Sequence, residues 1–365
     1  MRVVVLVGIV LAIPAPGLAQ TDYRALFDRT NLSINGGKGA SDSRNDQGNL
    51  AWGESYMLTA YVEMYRATKD PVYLRFVVDH FDRMLKSRDD ALGLADAYAG
   101  RPLAGWGSSI FSKGKWHVWL IHTGMILLPP AEFVRIVKEH RELRPEFGAK
   151  ADEFKARIEE SIRDADVNWR PGPKAGEGFY FEPYLGSMQP LNQQNRFGSL
   201  LLEMYRVTGK RLYLQRAEGL AHWFKNRLRS GNPDLYDWAY WPRESTDGEG
   251  SEDISHAHIN VEFAVLCAAE HVVFTRTDVA RFARTWLDKV KRPDGTWAGE
   301  VGGEGKGSQF MPYAVGAWLC LCSLLPDDLC RRLYADAEHA FASTTHPGSA
   351  ELVGVARLLL YSRKR

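Results

Sequence analysis

Cysteine is scarce, neither sign of charge prevails, and past the first residues no run reads as long and apolar enough to span a bilayer. The cysteines are Cys267, Cys320, Cys322 and Cys330, with no Cys-x-x-Cys or Cys/His spacing that would suit zinc. Export would permit a disulfide, but Cys320 and Cys322 point to different sides of a helix, so all four read as buried thiols. With 46 Lys and Arg against 45 Asp and Glu, the overall field excludes a protein held electrostatically on nucleic acid. A Gly-x-Ser-x-Gly nucleophile elbow is missing too. The glycine-rich run 302–308 has Gly307 after Lys306 where a phosphate loop has Ser or Thr, and no strand precedes it. Asp42 to Gly48 lacks calcium-loop spacing. The rings of His256 and His258 diverge at a helix start, so no metal is expected, and nothing requires an organic cofactor.

What is present begins with a leader. Arg2, the apolar run Val3 to Ile13, two prolines and Gly17-Leu18-Ala19 read as a secretory signal over 1–19. Residues 20–365 then form one catalytic domain, periplasmic or secreted, free of the membrane after cleavage and expected to be a monomer.

Apolar periodicity places helices at about 51–68, 71–87, 116–141, 147–168, 190–208, 211–228, 255–272, 277–291, 310–325 and 327–343. They pair through short links such as Gly209-Lys210, whereas the connections at about 87–115, 169–189, 229–254 and 292–309 are long. Stacked antiparallel hairpins put every short turn at one end and every long loop at the other. Glu63-Met64-Tyr65-Arg66-x-Thr68 with Tyr73-Leu74 recurs as Glu203-Met204-Tyr205-Arg206-x-Thr208 with Tyr213-Leu214, which marks a structural repeat. The fold expected is all-α, an (α/α) toroid or barrel of about six or seven helical hairpins, complete or incomplete.

Long loops in a compact domain usually carry function. The first-helix starts on that face bring Trp52 and Glu54, then His122, then Asn192 and Asn195, then Asp253, His256 and His258, then Lys306 and Tyr313. Converging helix N-termini favour anions. Trp106, Trp238, Tyr240 and Trp241 offer flat apolar faces for sugars, and Arg243 adds positive charge. An acidic polysaccharide is the partner this combination suits.

Leu-Ala-Trp-Gly-Glu-Ser-Tyr (50–56), Ile-His-Thr-Gly-Met-Ile (121–126), the Asn192 helix start and Glu-Asp-Ile-Ser-His-Ala-His-Ile (252–259) together resemble polysaccharide lyase family 38. That family holds helical-toroid lyases acting on glucuronan and alginate. The resemblance implies β-elimination on a uronate polymer, with Asn192 neutralising the carboxylate and His256 or His258 with Tyr313 as base and acid. Beside it, the helix starts and aromatic loops give expected substrate contacts at Trp52, Glu54, His122, Asn195, Trp238, Tyr240, Trp241, Arg243 and Lys306. Two departures are plain: Leu191 and Gln193 flank Asn192 where a second Asn belongs, and the nearest basic residue before Tyr313 is Lys306. Alternatives are a toroid glycoside hydrolase using Glu54 and Asp253, a uronate C5-epimerase, and a sugar-binding protein without catalysis.

Overall fold

A computed structural model describes residues 21–229, 231–242, 250–307, 311–342 and 344–364; the leader and Arg243 lie outside them. The helices are α1 (Tyr23–Ser33), α2 (Ser55–Thr68), α3 (Val72–Leu85), the short α4 (Asp89–Leu92), α5 (Leu120–Glu139) and α6 (Arg144–Asp166). After a small antiparallel sheet of β1 (Trp169–Pro171), β2 (Gly178–Glu182) and β3 (Ser187–Met188) come α7 (Leu191–Thr208) and α8 (Arg211–Lys225). The chain continues through α9 (Ile254–Ala269), α10 (Arg276–Thr285), α11 (Met311–Trp318), α12 (Asp327–Phe341) and α13 (Leu352–Leu360).

Packing orders these helices into two concentric rings. Helices α2, α5, α7, α9, α11 and α13 form the inner ring, each against the next, and α13 returns to α2. Helices α3, α6, α8, α10 and α12 each back the inner helix before them. The outer partner of α13 is α1. This is an (α/α) toroid of six hairpins, closed, and its sixth hairpin is assembled from the two ends of the chain. Tyr23, Leu26, Phe27 and Thr30 give α1 its single buried stripe, and Asp22 caps it by accepting from Ala25 N at 2.9 Å. Where α11 meets α13 the backbones touch: a methyl group on Gly316 would overlap Gly354 Cα. Only glycine fits that approach.

Helix α5 corrects one expectation. By length and hydropathy Leu120–Glu139 is apolar enough to cross a membrane, but it is buried almost all round because it lies in the inner ring. The cysteines correct another. A 3-10 turn at Leu319–Ser323 reverses the chain into α12 and brings Cys322 to Cys330 as a disulfide, Cα to Cα 5.0 Å; Cys267 and Cys320 remain buried thiols.

The repeat has more copies than the sequence reading found. Glu63 and Arg66 on α2, Glu132 and Arg135 on α5, and Glu203 and Arg206 on α7 are three Glu-x-x-Arg copies that interlock around the trimmed end. Arg66 reaches Glu132 at 2.8 Å, Arg135 reaches Glu203 at 2.7 Å, and Arg206 reaches Glu270 at 3.2 Å. Arg357 of α13 closes the belt by binding Glu63 at 3.1 Å and Glu262 at 2.8 Å. Outside the ring, Tyr73 donates to Asp28 of α1 and Tyr213 to Glu159 of α6, so each repeat tyrosine ties an outer helix to the one before it.

At the elaborated end the long loops are latched together by His117. Its Nδ1 meets Asp96 at 2.8 Å and its Nε2 meets Glu182 of β2 at 2.7 Å. Burial works against the charged ring, but the bonds and charges of Asp96 and Glu182 prevail and push it up to about 9. A raised folded-state value stabilises fully below the unfolded value and is lost as pH rises through the folded one. Stability should therefore fall by about 3 kcal/mol between about pH 6.5 and pH 9. Urea melts across that range should show the loss in the natural protein and a flat response in His117→Gln; parallel curves would refute the latch.

Candidate functional site

The long loops and the amino ends of the inner helices enclose a cleft of about 470 Å³. Trp52, Trp119, Ile121 and His122 form one side, with Phe111 from the loop before α5. Tyr184, Leu185, Pro190, Asn192 and Gln193 come from the β2–β3 turn and the start of α7, and Tyr240, Trp241 and His256 complete the wall. The rings run as a chain of contacts: Trp52 to His122 at 5.8 Å, His122 to Phe111 at 5.6 Å, Phe111 to Trp119 at 6.4 Å and Trp119 to Tyr184 at 5.4 Å. Tyr240 packs on His256 at 5.6 Å.

A π-helical turn at Leu50–Glu54 sets the first wall. It leaves Trp52 half-buried at the cleft and sends Glu54 behind it, fully buried. Glu54 meets His80 Nδ1 at 2.5 Å and accepts from Ala40 N at 2.6 Å. It holds the N-terminal segment and does not face the cleft, so neither substrate contact nor a Glu54/Asp253 hydrolytic pair has support here.

Helix α7 enters without a side-chain cap, and its Leu191 N is taken by Tyr240 O at 3.0 Å. Asn192, 1% exposed, makes no side-chain hydrogen bond among the described residues, and its Oδ1 is buried without a partner. Gln193 Oε1 and Trp119 Nε1 are likewise unpaired. Leaving buried polar atoms unmet costs about 1–3 kcal/mol each. Three of them around one cleft mark a place built for a polar ligand.

Asp253 caps α9, accepting from Ser255 N at 3.0 Å and His256 N at 3.1 Å, and its other oxygen holds His256 Nδ1 at 2.5 Å. Burial raises the carboxyl, but His256 and Ser255 outweigh it and hold Asp253 down to about 2. An ionised Asp253 accepts from Nδ1–H, and His256 lines the cleft with no hydrogen bond to its Nε2 among the described residues. His122 is opposite in kind. Asn45 Oδ1 is held by Leu50 N and Ala51 N, both at 3.2 Å, so its amide nitrogen faces His122 Nδ1 at 3.1 Å. Nδ1 must then accept, and Nε2 carries the hydrogen. Burial pushes His122 down to about 3, so it is a neutral donor.

One helical turn below Asn192 and Trp52 lie Arg196 and Tyr56, beside His258 and Tyr313. His258 Nδ1 donates to Ser255 O at 2.5 Å, so Nε2 accepts the Tyr313 hydroxyl, also at 2.5 Å. Tyr56 packs on Tyr313 with ring centroids 4.9 Å apart. Burial, then the neighbouring Tyr56 and Glu262, push Tyr313 well above the phenol range; burial pushes His258 down to about 4. Both stay neutral near pH 7. Arg196 binds Glu262 at 2.7 Å, its Nε is unpaired, and it lines the cavity of the Glu and Arg belt and not this cleft.

The structure therefore brings Trp52, His122, Asn192, Tyr240, Trp241 and His256 together at the cleft, with His258 and Tyr313 just below. Several expected contacts are elsewhere. Trp238 is fully buried and bonds Glu252, and Trp106 is buried with its indole N–H on Met84 O. Asn195 is buried against Asn260 at 2.6 Å, and Lys306 is exposed outside the cleft lining. The sequence reading gave no role to Arg196, Tyr56, Phe111, Trp119, Tyr184 or Gln193. The four-residue steps from Trp52 to Tyr56 and from Asn192 to Arg196 were the signal for two of them.

Fold and cleft place the chain among (α/α) toroids. Compared by sequence, it matches no protein family and no curated protein. Compared by structure, it is similar to an α-1,6-mannanase from Salegentibacter sp. HEL1_6, with TM-score 0.60, 13% identity, and 94% of this chain and 98% of that one covered. It is also similar to an unsaturated glucuronyl hydrolase from Bacillus sp. GL1, with TM-score 0.57, 15% identity, and 94% and 95% covered. A polysaccharide lyase matches with TM-score 0.53, 12% identity, and 94% and 99% covered. These structural neighbours are carbohydrate-active enzymes, and at such identities the likeness establishes the fold.

Proposed function

We propose that this protein is an exported polysaccharide lyase that cleaves a uronate-containing polymer by β-elimination. The observation that carries the reading is Asn192 lining the cleft at the uncapped start of α7, its side-chain N–H donors without a protein partner among the described residues. A uronate carboxylate placed there meets the Asn192 N–H donors and the helix dipole, which together stabilise the charge that develops when C5 loses its proton. His256 Nε2, oriented by Asp253, takes that proton. As the C4–O4 bond breaks, Tyr313 gives O4 the hydroxyl proton that it otherwise donates to His258 Nε2, and a C4–C5 double bond remains. Exchange with water returns His256 and Tyr313 to their starting states. Similarity of the fold to a polysaccharide lyase and a glucuronyl hydrolase is in keeping with a uronate substrate.

The test is ultraviolet absorbance while the purified protein acts on glucuronan, poly-mannuronate, poly-guluronate and hyaluronan. A rising signal with new chain ends is the expected result. New reducing ends without absorbance mean hydrolysis, and exchange of the C5 proton with heavy water without chain cleavage means epimerisation; either outcome overturns the reading.

A further inference from the structure

Charge is distributed around this cleft in a way that bears on what flanks the uronate. Among the described residues that line it there is no Lys, Arg, Asp or Glu. Among the described residues, the provision for an anion is confined to one point, the start of α7 with Asn192. On either side the walls are Trp52, Phe111 and Trp119, then Tyr184, Tyr240 and Trp241. The charged group nearest His256 is the Asp253 carboxylate, which repels anions.

Resting on the proposed elimination, we infer that the natural substrate is a mixed polymer in which each uronate sits between neutral sugars. A polyuronate carries a carboxylate on every residue. Threaded here, it would press those carboxylates against indole and phenol faces with no counter-charge, and desolvating an unpaired anion is costly. Neutral sugars present flat C–H faces that bury favourably on the same rings. A cleft made for a polyanion along its length would carry cations at successive positions, and its turnover would fall steeply with salt.

The experiment compares kcat/KM for hyaluronan, an alternating glucuronate and N-acetylglucosamine polymer, with glucuronan and poly-mannuronate, all followed by absorbance of the unsaturated product. The alternating polymer is expected to be cleaved at least about tenfold more efficiently, its rate changing less than about twofold between about 20 mM and 300 mM salt. The half-exposed Phe111 offers a converse: Phe111→Lys should raise turnover of the homopolymers several-fold relative to hyaluronan. A faster, strongly salt-dependent reaction on a homopolyuronate by the natural protein would overturn this inference and leave the elimination intact. Absence of unsaturated product from all three polymers would overturn both.

Discussion

His256→Ala should lower kcat by about a thousandfold while leaving the melting temperature within a degree or so of the natural protein. The ring is partly exposed, so its loss opens no cavity in the core. What goes is the group whose Nε2, among the described residues of the cleft, is the proposed base, oriented by an ionised Asp253. Tyr313→Phe should cost a comparable factor for a different reason: it removes the proton for O4 and keeps the ring. The two variants separate the steps on a substrate whose leaving group needs no proton, such as one activated at O4. Tyr313→Phe recovers there and His256→Ala does not. Near-normal turnover of His256→Ala on the polymer would show that the base lies elsewhere, with the deeper His258 the first place to look.

Arg357→Met is expected to destabilise the fold by about 3–5 kcal/mol, read as a shift of the urea midpoint. Arg357 is buried and donates to Glu63 on α2 and Glu262 on α9, as well as to Ala317 O. Its charge holds Glu262 at about 2, burial opposing and Arg357 and Arg196 prevailing. Removing it takes one of two cationic partners from each of two buried carboxylates, leaving Glu63 with Arg66 and Glu262 with Arg196. A buried ion pair does not by itself make a protein more stable than an apolar contact would; breaking one is what costs. The contrast is Arg75→Met, which breaks an exposed 2.6 Å pair with Glu146 and should cost less than about 1 kcal/mol. Equal effects from the two substitutions would refute this account of the belt.

Much of the ring could be read from apolar spacing alone, because ten of its helices carry a strong buried stripe and the short links between partners leave only antiparallel packing. Two helices escaped, and for a physical reason. Helix α1 is largely polar, with Tyr23, Leu26 and Phe27 the apolar residues it buries, and α13 is a nine-residue apolar stretch too short to show a period. Those two make the sixth hairpin, so the closure of the ring was the part the sequence concealed. At the cleft, helix starts were legible as positions but their side-chain directions were not. The π-helical turn that sends Glu54 backward and the fold of the loop that buries Trp238 depend on partners outside their own turns, His80 and Glu252, 26 and 14 residues away along the chain. Asn192 was legible because it opens a helix; Arg196 was not, since an arginine on an inner face reads as an error until Glu262 stands opposite it.

The seam where the two ends of the chain meet has a consequence for biogenesis. Every residue of the cleft, from Trp52 to Tyr313, has been synthesised before α13 exists, yet α2 and α11 have no common neighbour until it does. An arc of five hairpins leaves an apolar flank bare on each side and the distance between its ends undetermined. The two walls of the cleft acquire their common neighbour, and with it their spacing, only when α13 packs against both α2 and α11.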